Sequence, residues 1–182
     1  MMKKIKKGIL PGILALFTIA FAFVVYLMKF GPVKIFRYYV LVYVTAYLAW
    51  IDIEKRIVPN RILLGLVGLR LFCFIPEALL YGGYIGSFIS SACLGALLGI
   101  IMLSLGNFLG RKGLGFGDIK FVGTAGFYMG PNGVLFVIFF SLLFAALYCG
   151  IMLLAKKLTV KDEIPMMPFL FGGLLVTCLL GI

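Results

Sequence analysis

VLFVIFFSLLFAALYCGIMLLA, residues Val134–Ala155, runs 22 positions without a charge. As an α-helix it would be about 33 Å long, enough to cross a hydrocarbon core of about 30 Å. Lipid offers no partner for backbone polar groups, so a segment of this kind reads as a helix. Just before it, Gly130-Pro131-Asn132-Gly133 reads as a tight turn. Ile119–Gly130, ahead of the turn, is apolar apart from Lys120. Its twelve residues reach only about 18 Å, so it is expected to start or end inside a protein-lined part of the membrane. Farther out lie Gly8–Met28, Tyr38–Ile51, Ile62–Ile75 with Arg70 in it, Tyr84–Leu109 and, after the polar stretch Lys156–Glu163, Pro165–Ile182. No polar mature domain follows Gly8–Met28, so it reads as a span rather than a signal peptide. The expectation is an all-α, polytopic membrane helix bundle with about six to seven transmembrane segments, forming one integral membrane domain over residues 1–182.

Composition agrees. The chain is 64% hydrophobic with a mean hydropathy of +1.20, which excludes a soluble globular domain of 182 residues. The net charge of +11 does not call for a nucleic acid, because the basic residues cluster at the ends of apolar runs. There they meet lipid headgroups and set orientation. With a cytoplasmic N-terminus and seven alternating segments, thirteen lysines and arginines fall on the cytoplasmic side and three, Lys29, Lys34 and Arg37, on the other. That basic connector is the discordant piece. The implied partner is the lipid bilayer, with Asp52 and Asp118 on the cytoplasmic side.

The chemistry open to the chain is narrow. It has no histidine, which removes the Ser-His-Asp triad, the Cys-His dyad and the HExxH zinc site. Cys73, Cys93, Cys149 and Cys178 lie singly in apolar segments and form no CxxC pair. No metal or other cofactor is indicated. Six acidic residues remain, and Asp118 ends the glycine-rich run Gly113-Leu114-Gly115-Phe116-Gly117-Asp118 directly before an apolar segment. A carboxylate at the mouth of a buried membrane segment is costly and is a functional candidate by default.

Asp52 closes another apolar segment on the same side. Two facing aspartates can hold one proton between them, since both cannot easily ionise at close range. One then takes a proton from water while the other polarises a scissile carbonyl. A plainer reading also stands for each residue: Asp118 as the N-cap of its helix, and Asp52 as a helix terminator at the headgroups. Glu54 falls roughly on the opposite side of the helix from Asp52 and reads as solvated.

Gly115-Phe116-Gly117-Asp118-Ile119-Lys120 resembles the GxGD-[IV]-K signature of prepilin peptidases, the type IV leader peptidase family. Asp52 followed seven positions later by Pro59-Asn60 resembles that family's first aspartate motif. Ile164-Pro165-Met166-Met167-Pro168-Phe169 with Gly172-Gly173 resembles its C-terminal segment. The resemblance covers roughly residues 38–182; residues 1–37 are an additional N-terminal segment and connector that match no motif. It implies an aspartic endopeptidase of the cell (inner) membrane with its active site near the cytoplasmic face. Its substrates would be prepilins, pseudopilins or archaellin-like precursors, cut after a short basic leader. It further implies that Asp52 and Asp118 are the catalytic pair, with Gly115, Gly117, Pro59 and Asn60 shaping the surrounding loops. Substrate-binding residues are not indicated. Many bacterial members carry an added cytoplasmic domain with paired CxxC motifs, associated with N-methylation. Nothing in this chain corresponds to it, so a peptidase-only form without methyltransferase activity is expected. Two other readings compete: a small secondary transporter with buried carboxylates, and a broader GxGD intramembrane protease of the presenilin type. The Pro-Asn element after Asp52 speaks against the latter.

Overall fold

The computed structural model describes Thr18, Ile19, Ala22 and residues 30–109, 115–156 and 164–181. The expected first segment falls almost wholly outside these residues. All regular structure among them is helical: α1 (Pro32–Lys55), α2 (Asn60–Leu80), a short 3-10 turn (Gly82–Tyr84), α3 (Ile85–Leu109), α4 (Phe116–Leu154) and α5 (Met167–Leu179). Three helical stretches, Asn60–Leu80, Gly82–Phe108 and Phe116–Leu154, are long and apolar enough to cross a membrane. The molecule is an all-α membrane helical protein.

Helix boundaries follow local chemistry. Pro32 opens α1, where its missing N–H costs nothing. α1 ends where Arg56 turns left-handed at φ 53° and returns its N–H to the Asp52 carbonyl at 2.9 Å. Pro59, extended at φ −67° and ψ 118°, then starts α2. Helices α1 and α2 both run beyond their apolar cores, Tyr38–Ile51 and Ile62–Ile75, because charged residues are carried on their ends.

α4 is two limbs rather than one rod. Gly130 sits at φ 78° and ψ −176°, a conformation open essentially to glycine, and Pro131 follows it. The turn expected at Gly130–Gly133 therefore exists. Its angle can be read from α3: a Cβ placed on Gly99 would lie 2.9 Å from the Val122 carbonyl oxygen and 3.1 Å from the Val134 side chain. On a straight helix those two residues would stand about 18 Å apart along the axis. The chain thus folds back at Gly130, and both limbs pack on α3. The first limb, Phe116–Gly130, is only about 22 Å long, so its carbonyl end falls short of a full crossing.

The core is built where α1, the first limb of α4 and α5 meet. Leu41, Val42, Phe121, Val122, Leu170 and Leu174 are fully buried there. On α3, Leu94, Leu97, Ile101, Leu105 and Phe108 are exposed, as suits a helix facing hydrocarbon.

Arg70, the charge that interrupts the third apolar segment, is 2% exposed. Its Nε donates to the Phe127 carbonyl at 3.1 Å, satisfying an orphan group at the end of the short limb. Its Nη1 pairs with Glu77 at 3.0 Å, and Glu77 also binds Arg37 Nη1 at 3.0 Å. Arg37, from the discordant basic connector, is thus largely a buried ion-pair partner rather than a headgroup contact. Arg70→Met is expected to lower stability by about 3–5 kcal/mol, the usual cost of breaking a buried pair. Denaturant unfolding in detergent would measure it.

Candidate active site

Asp52 and Asp118 arrive from opposite chain directions. Asp52 lies three residues before the end of α1 and is 6% exposed, whereas Glu54 is exposed. Its Oδ2 accepts the Met167 N–H at 3.2 Å. Met167 is the first residue of α5, so the Asp52 carboxylate meets one of the orphan amides at the positive end of a helix dipole. The C-terminal motif is thereby joined to the first aspartate by a direct hydrogen bond.

Asp118 is the third residue of α4 and is 8% exposed. The N-cap position is taken by Gly115, which makes no side-chain cap bond, and the Asp118 N–H returns to the Gly115 carbonyl at 3.1 Å. The N-cap reading of Asp118 is therefore corrected: the residue sits in the first helical turn. Its Oδ1 is buried and has no hydrogen-bond partner among the described residues. A buried, unmatched carboxyl oxygen is expensive. Asp118 directly follows Gly117, which packs against Val58, six residues beyond Asp52, so both carboxylates stand at the same end of the bundle.

Two further ties hold the halves together. A Cβ on Gly117 would stand 2.7 Å from Val58 Cβ and 2.9 Å from its Cγ2. Lys120 Nζ donates to Asn60 Oδ1 at 3.1 Å. The Val58-Pro59-Asn60 stretch is thus pressed against the first turn of α4. Gly117 lies inside that helix rather than in a loop, and close approach is what requires a glycine there. Gly115 is close as well, with Asp118 Oδ2 lying 3.2 Å from where its Cβ would be.

Asp52, Val58, Pro59, Asn60, Gly115, Gly117 and Asp118 therefore form one locality at one end of the bundle. Sequence reasoning missed two members. The Met167 amide leaves no side-chain signature; its only clue is its place between Pro165 and Pro168. The Lys120–Asn60 bond was visible only as two motif residues with no stated connection. Among the described residues no group of three or more Cys, Asp or Glu side chains is arranged to hold a metal ion, and the four cysteines are free thiols.

Residues 39–150 match the model of the type IV leader peptidase family. That is well over half of the chain, and it includes both aspartates. The chain belongs to this family. A prepilin leader peptidase/N-methyltransferase of Bacillus subtilis (strain 168) is 28% identical over 155 residues, 85% of this chain and 60% of the relative. One from Aeromonas salmonicida (strain A449) is 28% identical over 136 residues, 71% of this chain and 44% of the relative. The chain thus spans about half the length of the curated relatives it matches. No solved structure matches it significantly. As a type IV leader peptidase family member, the chain carries the first two motifs within the matched region, and the Pro165–Phe169 motif lies beyond it.

Proposed function

We propose that this family member is an aspartic endopeptidase that removes the short basic leader of prepilins or related precursors, with Asp52 and Asp118 as its catalytic pair. The observation that carries this reading is the placing of two buried carboxylates at the same end of the bundle, one anchored by the Met167 amide and the other with a free oxygen. The anchored one, Asp52, keeps its negative charge beside the helix terminus. Asp118 then holds the shared proton and turns it toward the substrate.

The reaction follows from that arrangement. Asp52 removes a proton from a water molecule as its oxygen bonds to the scissile carbonyl carbon. Asp118 donates a hydrogen bond to the carbonyl oxygen, which gains negative charge in the tetrahedral intermediate. The proton gathered by Asp52 passes to the leaving nitrogen as the C–N bond breaks. The pair ends with one proton, as it began. Both residues lie at helix ends, within three positions of a terminus. A transporter would hold its carboxylates near mid-span, which favours the peptidase reading.

The lysine and arginine bias supports a position of this end of the bundle at the cytoplasmic face of the cell membrane, where a basic leader would emerge. The histidine-free composition points to catalysis without a zinc site. Cleavage of a prepilin by the purified protein in detergent should continue in excess chelator and with serine-directed inhibitors. Loss of cleavage in chelator, restored by zinc, would overturn the two-aspartate mechanism.

A further inference from the structure

The peptidase chemistry leaves unused a second charged cluster, at the far end of the same helices. Arg37 precedes Asp52 by fifteen residues on α1, about 22 Å along the axis. Phe127 and Gly130 close the first limb of α4, about 13 to 18 Å beyond Asp118. Between these elements and α3 lies a cleft of about 60 Å³, lined by Arg37, Arg70, Phe88, Ser91, Tyr128 and Gly130, among others.

Charge in this cluster does not balance. Glu77 is shared by both guanidinium groups, at 3.0 Å from each. Two arginines against one carboxylate leave one positive charge. Arg70 is otherwise well matched, with its Nε on the Phe127 carbonyl and its guanidinium 4.1 Å from the Phe74 ring centre. Arg37 is not. Its side chain is 12% exposed, and its Nε is buried with no hydrogen-bond acceptor among the described residues. An unmatched buried donor is costly, and more so on a charged group.

We infer that this cleft is an anion site that takes a phosphate group, either the headgroup of an anionic phospholipid or free inorganic phosphate. Water in the cleft would leave that charge unbalanced, whereas a phosphate supplies the opposite charge, and the planar guanidinium fork matches phosphate geometry. The volume suffices, since one water needs only about 10–15 Å³. Phe88 in the lining would lie along an acyl chain, whereas free phosphate gains nothing from it.

The test uses full-length protein in phosphatidylcholine nanodiscs. Phosphatidylglycerol is titrated in one arm and inorganic phosphate in the other, with retained ligand read by native mass spectrometry and stability by thermal unfolding. Wild-type protein should retain one phosphate-bearing ligand and unfold at a higher temperature. Arg37→Gln should weaken that binding on the order of tenfold, as expected for one lost charge-assisted contact. This variant should still fold, because Arg70 keeps Glu77 paired. Lys55→Gln, an exposed cation at the other end of α1, should bind as wild type. Photoactivatable phosphatidylglycerol should label wild-type protein at 88–92 or 127–130. The arm that binds identifies the source. The proposal is overturned if neither ligand is retained, if Lys55→Gln loses as much as Arg37→Gln, or if phosphatidylglycerol is the ligand retained and its label falls only elsewhere.

Discussion

Asp52→Asn and Asp118→Asn should each reduce leader cleavage at least about a thousandfold, while Glu54→Gln stays near wild type. General acid–base groups contribute about 10²–10⁴ in rate, and here each partner also sets the charge of the other. Asn at 52 can still accept the Met167 N–H but cannot take a proton from water. Asn at 118 can still hydrogen-bond a carbonyl but cannot carry the shared proton. Neither change should unfold the protein, since amide and carboxyl have nearly the same shape. Gel-shift cleavage of a co-expressed prepilin, normalised to membrane-inserted enzyme, measures the effect. Full activity in either variant would remove that residue from the chemistry. Glu54 is exposed on the far side of the same helix, so its neutralisation controls for a simple loss of surface charge.

Gly117→Val should cost about a hundredfold in rate with a much smaller loss of stability. The first atom any larger residue adds would lie 2.7 Å from Val58 Cβ, a branch point fixed to the backbone rather than a flexible tip. Something must move, and the pieces that can move are the Val58–Asn60 stretch and the first turn of α4. Each carries or adjoins one aspartate. A displacement of about 1 Å at reacting groups is enough for a loss of that size. Gly117→Ala introduces the same first atom, so it should also be impaired, but less than Val, whose two further methyls press on the same neighbour. Val58→Ala should partly rescue Gly117→Ala by removing the methyl carbon nearest the clash. Cleavage rates set beside thermal unfolding separate the effects. Near-normal cleavage by Gly117→Val would show that the contact with Val58 does not position the aspartates.

The fold class was legible because lipid imposes a simple rule: long uncharged runs must be helices. Val134–Ala155 and Tyr84–Leu109 followed it closely. The turn at Gly130-Pro131 was legible too, since glycine and proline together punctuate a helix. What the linear pattern lacked was long-range pairing. Arg70 looked like an interruption in an apolar run, yet its partners, Glu77 and the Phe127 carbonyl, lie 7 and 57 residues away. Arg37 looked like a headgroup contact for the same reason. At the site, the two aspartates were visible as scarce carboxylates at segment ends. Their immediate support was not. An amide such as that of Met167 belongs to every residue, so only its three-dimensional position marks it. Gly117 was singled out as a loop-shaping residue, whereas in the structure it lies within α4 and Val58 limits the space beside it.

The most direct measurement is cleavage of a synthetic leader-bearing prepilin segment by purified protein in detergent, with both products weighed by mass spectrometry. The substrate would carry a short basic leader ending in glycine, followed by an apolar helix. One cut after that glycine is expected, in excess chelator. No products are expected from the Asp52→Asn, Asp118→Asn double variant. An intact substrate with folded wild-type protein, or cleavage that survives the double substitution, would contradict the two-aspartate mechanism.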